Sequence, residues 1–183
     1  MNFIKPKFWS NHLSLLGLIL YPFSLIYMLL FGLRRVLSKK MNFSKPVICV
    51  GNIYLGGSGK TPLAIAISKM LLQNNFNPAI IRKKYESQLD EVDMIRENFG
   101  KIFEHKKIEL AIETAITAGH DFVIMDDGMQ DFSIKPDLNI ACFNMEQLLG
   151  NGFVLPAGPL REKLSGLKRC KIAVLNGEKN EIF

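Results

Sequence analysis

The sequence has 183 residues, enough for one domain with a core of ordinary size, and 48% of them are hydrophobic, giving a mean hydropathy of +0.14. The net charge of +6 is local: residues 1–45 carry seven of the 23 Lys and Arg and no Asp or Glu, leaving 16 basic and 17 acidic residues, net −1, for 46–183. That distribution argues against a nucleic-acid-binding body, which would spread Lys and Arg over a folded face, and three cysteines (Cys49, Cys142, Cys170) without CxxC or paired spacing read as reduced, buried thiols.

From Phe8 to Leu33 there is no Lys, Arg, Asp or Glu, and Leu13 to Leu33 is mostly Leu, Ile, Phe, Tyr and Met. As a helix at ~1.5 Å per residue that stretch spans about 30 Å, the thickness of a hydrocarbon core. No small-x-small cleavage site comes after it, which argues against a cleaved signal peptide. Pro22 in the middle predicts a kink. Three readings stay open: a bent spanning helix, a helical hairpin or amphipathic element lying in one leaflet, and a buried core helix. The cluster Arg34, Arg35, Lys39, Lys40 would sit against anionic lipid and places the rest of the chain on the cytoplasmic side. We therefore divide the chain into a membrane-associated segment, 1–45, and a body, 46–183.

The body reads as alternating strands and helices. Pro46 to Val50 is a short continuous apolar run, as in a strand buried on both faces. A glycine-rich turn leads to a helix over Pro62 to Leu72, with Pro62 tolerated in the first turn. Ala79 to Ile81 reads as a strand, and Asp90 to Asn98 and Ile108 to Ala118 as helices, the second ended by Gly119. Further strands are expected at Phe122 to Met125, Leu138 to Phe143 and Ile172 to Leu175. The alternation predicts an α/β fold with a doubly wound, mostly parallel sheet.

Two motifs fall at carboxyl ends of predicted strands, where active groups of such sheets sit. The first is Tyr54-Leu55-Gly56-Gly57-Ser58-Gly59-Lys60-Thr61. Its second half satisfies the phosphate-binding loop pattern G-x-x-x-x-G-K-[ST], while Tyr54 stands at the first Gly. Gly56, Gly57 and Gly59 are expected to allow positive φ and close backbone approach, turning N–H groups and a helix N-terminus towards an anion. Lys60 would reach the β- and γ-phosphates and Thr61 would ligate Mg²⁺. The second motif, Asp126-Asp127-Gly128, ends an apolar strand about 65 residues on and has the form of a Walker-B element holding Mg²⁺ directly or through water. No N-K-x-D motif lies downstream, which argues against a guanine-reading GTPase.

Three stretches resemble the tetraacyldisaccharide 4′-kinases of lipid A biosynthesis. Val50 to Pro62 is similar to that family's V-G-N-x-x-x-G-G-T-G-K-T-P, which also lacks the usual first Gly. Asp126-Asp127-Gly128-Met129-Gln130 resembles its D-D-G-F-Q, and Gly150 to Glu162 its G-N-G-x-x-L-P-A-G-P-L-R-E. The resemblance implies transfer of the γ-phosphate of MgATP to the 4′-hydroxyl of a lipid-linked glucosamine disaccharide 1-phosphate, forming lipid IVA, at the cytoplasmic face of the bacterial inner membrane. It implies ATP and Mg²⁺ as cofactors, Lys60 and Asp127 as catalytic groups, and Asp90 as the base by its match to a G-D-E-P stretch. Departures are Lys83-Lys84-Tyr85-Glu86 in place of R-G-Y-G and Asp131 in place of a His. Family members are longer, so the resemblance implies a chain lacking the family's C-terminal lobe. The alternative is then a non-catalytic, nucleotide-binding remnant at the membrane.

Overall fold

The computed structural model describes residues 5–11, 14–84 and 89–177. Tyr85 and Glu86, at the departure from R-G-Y-G, lie outside the described residues. The chain divides into two compact units that interleave in sequence. The first takes Met1–Ser38, Asn52–Gly59 and Ala141–Phe183; the second takes Lys39–Gly51 and Lys60–Ile140.

The second unit carries the parallel sheet that the alternating pattern implies. Strand β1 (Val47–Gly51) leads through helix α2 (Lys60–Gln73) to β2 (Pro78–Lys83). Then come α3 (Leu89–Asn98), β3 (Ile102–His105), α4 (Ile108–Thr117) and β4 (Phe122–Asp126). Their order is β3-β2-β4-β1, with β2 parallel to both β3 and β4, and β4 parallel to β1. The connection from β1 thus runs to one side, to β2, while that from β4 returns past β1 to β5 (Leu138–Asn144), whose entry is fixed by Asp137 N–H on the Val47 carbonyl. Such a reversal marks the carboxyl ends of β1 and β4, where Val50 faces Asp126 in register, as the place where open α/β sheets bind ligands.

Burial explains the apolar runs. Val50, Ile80 and Ile124 on three neighbouring strands are fully buried, with Ala64, Ile65 and Ile95 packed over them from α2 and α3. Helix α4 buries Ile108, Ala111, Ile112 and Ala115, the i, i+3, i+4, i+7 stripe of an amphipathic helix. Gly119, at φ +85°, ends it: its N–H bonds the Ile116 carbonyl at 3.0 Å and the next N–H, of His120, bonds that of Ala115 at 3.2 Å. This is the paired closure that a left-handed residue after the cap allows.

The first unit is built on helix α1 (Leu15–Leu37), capped by the Ser14 side chain and continuous through Pro22. An unbroken helix excludes a hairpin folded at that proline. The helix also runs four residues past Leu33, because Arg34 and Arg35 end the apolar pattern without ending helix propensity. It is long and apolar enough to cross a membrane. Its packing is inverted relative to a core helix: the buried positions are Gly17 and Ser24, while Leu15, Leu18, Phe23, Leu29 and Leu33 stand exposed.

The small stripe docks on the stretch 150–162. Ser24 Oγ donates to the Val154 carbonyl at 2.8 Å and accepts from Ala157 N–H at 3.1 Å, and the Tyr27 hydroxyl donates to the Arg161 carbonyl at 3.0 Å. Asn151, buried, shapes that stretch by bonding the Ala157 carbonyl and Phe153 N–H. A 3-10 helix, Leu164–Arg169, and strand β6 (Ile172–Asn176), which lies beside the end of β5, complete the unit.

Candidate active site

The motif at Tyr54–Thr61 passes from the first unit to the second between Gly59 and Lys60. On the first-unit side the loop 52–59 is held from three directions. Leu55 N–H bonds the Pro159 carbonyl at 2.8 Å, and Arg161 N–H bonds the Ile53 carbonyl at 2.7 Å. The Asn52 carboxamide donates to Ser58 Oγ, and Cys142 Sγ to the Ser58 carbonyl, at 2.8 and 2.9 Å. Tyr54, where a glycine is usual, is buried and bridged to Leu160, with Lys5 4.9 Å from its ring centre. It has no positive φ, so a glycine is not required there.

Gly56 and Gly59 have φ of +134° and +80°. A Cβ on Gly59 would also fall 2.1 Å from Asn176 Nδ2, so backbone and neighbour both demand glycine. Gly57 corrects the expectation for all three glycines: it is not left-handed, and a Cβ there would meet nothing within 4 Å. Its missing side chain leaves open space rather than conformational freedom.

In the second unit Lys60 and Thr61 open α2. The Thr61 hydroxyl donates to Asp126 Oδ2 at 2.8 Å, and Lys60 Nζ lies 3.8 Å from Asp127 Oδ1. Residues 65 positions apart in sequence meet because Asp126 is the last residue of β4 beside β1. Asp127 has φ +62°, a conformation Asp tolerates better than most residues, and its N–H bonds the Val50 carbonyl.

Asp126 is 4% exposed. Burial pushes its carboxyl up to about 6, with Arg82, the Thr61 bond and Lys60 opposing the rise and Asp127 adding to it. Its Oδ1 has no hydrogen-bond partner. A buried carboxylate with one oxygen on a threonine hydroxyl and the other open fits a hard cation. Among the described residues no cluster of three or more His, Cys, Asp or Glu could hold a metal. Mg²⁺ at a nucleotide needs only one or two carboxylates, the remaining ligands being water and phosphate.

Sequence reasoning missed Arg82, on β2. Its guanidinium is buried, with Nε 3.5 Å from Asp126 Oδ2 and Nη2 bonded to Glu91. Asp90, the expected base, lies exposed on the first turn of α3, and its neighbour Glu91 is the residue joined through Arg82 to Asp126. An arginine within an otherwise wholly buried strand (Pro78–Ile81 ahead of it) was the available signal, since buried charge requires a partner. Asn176 and Cys142 carry no signal in sequence; their roles arise from packing alone.

Residues 16–183 match the family described as tetraacyldisaccharide-1-P 4′-kinase. The chain is 42% identical over its whole length to the tetraacyldisaccharide 4′-kinase of Pelagibacter ubique, and spans 58% of that relative's length. It is 35% identical over 92% of its length to the Coxiella burnetii protein of the same name, covering 59% of it. Among solved structures, an "apo" form of LpxK from Aquifex aeolicus in complex with ATP superposes with a TM-score of 0.76 and 26% identity, over 92% of this chain and 61% of that one.

Proposed function

The chain belongs to the tetraacyldisaccharide-1-P 4′-kinase family, and from that premise we propose that it binds MgATP and serves transfer of the γ-phosphate to the 4′-hydroxyl of a tetraacyldisaccharide 1-phosphate, forming lipid IVA at the cytoplasmic face of the inner membrane. The observation that carries the nucleotide half is the buried Asp126, bonded to Thr61 through one oxygen and open at the other, beside the Lys60–Asp127 pair. ATP in the Aquifex aeolicus relative supports the same reading. The exposed apolar surface of α1 supports a place at the bilayer, where an acylated acceptor resides.

In this reading the N–H groups of Tyr54 to Gly59 face the phosphates, and the open side of Gly57 lets them approach. Lys60 exchanges Asp127 for the β- and γ-phosphates. Thr61, Asp126 and Asp127 would hold Mg²⁺, which when bound would neutralise charge gathering on the transferred group. Asp90 accepts the hydroxyl proton as the acceptor attacks. Little covalent work is asked of the protein; positioning carries the rate.

Lys60→Ala should abolish MgATP binding in calorimetric titration, and unchanged affinity would remove the phosphate-loop assignment. The full function is tested by transfer of label from γ-labelled ATP to the disaccharide lipid. A second reading, nucleotide binding without transfer, is favoured by one observation, the exposed position of Asp90, which makes none of the ion pairs that join Glu91, Arg82 and Asp126. Folded protein that binds MgATP and transfers no label would establish it.

A further inference from the structure

The face of α1 formed by Tyr27, Met28, Phe31, Gly32 and Arg35 lines a pocket of about 200 Å³, closed on its other side by Glu162, Lys163, Ser165 and Gly166. All these residues belong to the first unit. The pocket lies at the end of the helix where the apolar surface gives way to Arg34 and Arg35, the level at which a bilayer's headgroups meet water.

Its chemistry is divided. Along α1 the wall runs from the aromatic and thioether groups of Tyr27, Met28 and Phe31 to the Arg35 guanidinium, and the facing stretch adds an ammonium and a hydroxyl. The single acid, Glu162, is already neutralised: both its oxygens are bonded by Arg169 at 2.6 and 2.7 Å. The pocket therefore combines an apolar wall with a net cationic set of side chains. Gly32 is an independent observation. A mid-helix glycine costs about 1 kcal/mol relative to alanine. Here no backbone requirement offsets that cost, since Gly32 lacks positive φ and a Cβ would meet nothing within 4 Å. What the missing side chain provides is the volume of the pocket.

We propose that this pocket binds one anionic phospholipid of the bilayer, its phosphate on Arg35, Lys163 and Ser165 and its glycerol against Tyr27, Met28 and Phe31. The volume suits a small headgroup, with the acyl chains continuing along the exposed leucines of α1. The proposal rests on the membrane placement of α1 and is independent of phosphoryl transfer.

The test is native mass spectrometry of the full chain released from mixed micelles of phosphatidylglycerol and phosphatidylcholine, with no disaccharide lipid present. The expected result is one retained phosphatidylglycerol in preference to phosphatidylcholine. Gly32→Leu, which fills the pocket, changes no charge and raises helix propensity, should abolish the preference. Lys163→Ala should weaken retention about fivefold, while Lys39→Ala, an exposed cation outside the pocket, should leave it unchanged. Equal loss from both lysine variants would mean diffuse attraction only, and displacement by excess inorganic phosphate would mean a free-anion site; either overturns the proposal. Retention by Gly32→Leu overturns it as well. Failure of the wild type to float with vesicles of either composition would remove the membrane placement and this site with it.

Discussion

With its carboxyl raised to about 6, Asp126 must carry a charge at neutral pH in surroundings that disfavour it. The folded protein holds the proton more tightly than the unfolded chain, in which an Asp titrates near 3.8. The stability contributed by this group is therefore present below pH ~4 and lost as pH rises through about 6, a swing of about 3 kcal/mol. Asp126→Asn should flatten that dependence in urea titrations from pH 4 to 8 without divalent cations, and should eliminate Mg²⁺-dependent ATP binding. A variant that keeps the wild-type pH profile would show that Asp126 is not the group responsible. Catalysis at the neighbouring turn separates two acids: Asp90→Asn should lower kcat by about 10²–10⁴-fold with little change in KM if Asp90 is the base. Glu91→Gln should act instead on stability, because its partner Arg82 is buried. The meeting of Lys60 and Thr61 with Asp126 and Asp127 was legible because their types and spacing follow the phosphate-loop and Walker-B patterns. Arg82 and Asn176 were not, since their neighbours are set only by how strands align.

Elements were legible in proportion to their burial. Strands β1, β2 and β4 are enclosed on both faces and so appear as apolar runs, and α2, α3 and α4 begin and end within two residues of their expected bounds. Strand β3 went unread: four residues, Ile102–His105, none of them buried, with pairing to Ile80–Lys83 as their definition. Parallel pairing with a distant segment leaves no local mark on so short a strand. Helix α1 was legible as an apolar length, yet which face would dock was not, because the docking residues are the small and polar ones. Ser24 is the element's most exacting position, satisfying two backbone groups of the 150–162 stretch. Ser24→Val removes both bonds; the Val154 carbonyl keeps the Gly158 N–H at 3.2 Å, whereas the Ala157 N–H is left buried without its acceptor, at about 1–3 kcal/mol. The expected outcome is a lower midpoint of thermal unfolding in detergent, with membrane association intact because the exposed leucines are untouched. A midpoint equal to wild type would mean that this face of α1 is not docked in solution.

At the scale of the whole molecule, the interleaving of the two units had no counterpart in sequence, where the change of charge at Lys45 was the visible boundary. The stretch Gly150 to Glu162, recognisable only as a family marker, acquires a physical role from its two sets of bonds. One set, through Val154, Ala157 and Arg161, receives α1; the other, through Pro159 and Arg161, fixes Leu55 and Ile53 of the phosphate loop. Helix and loop thus share one intermediary, with Arg161 giving its carbonyl to Tyr27 and its N–H to Ile53. Loosening the helix should therefore loosen the loop. Gly17→Leu combined with Ser24→Leu places bulk against the Ala157 carbonyl and the 154–157 turn, and should weaken MgATP binding by at least about fivefold while Lys60, Thr61 and Asp126 stay unaltered. Linkage requires the reverse effect to be equal in size: saturating MgATP should slow amide exchange at Ala157, whose N–H is held by Ser24. Calorimetry on the double variant and hydrogen exchange on the wild type measure the two halves of one coupling. Wild-type affinity in the variant, or exchange at Ala157 indifferent to nucleotide, would mean that the helix anchors the protein without reporting to the phosphate site.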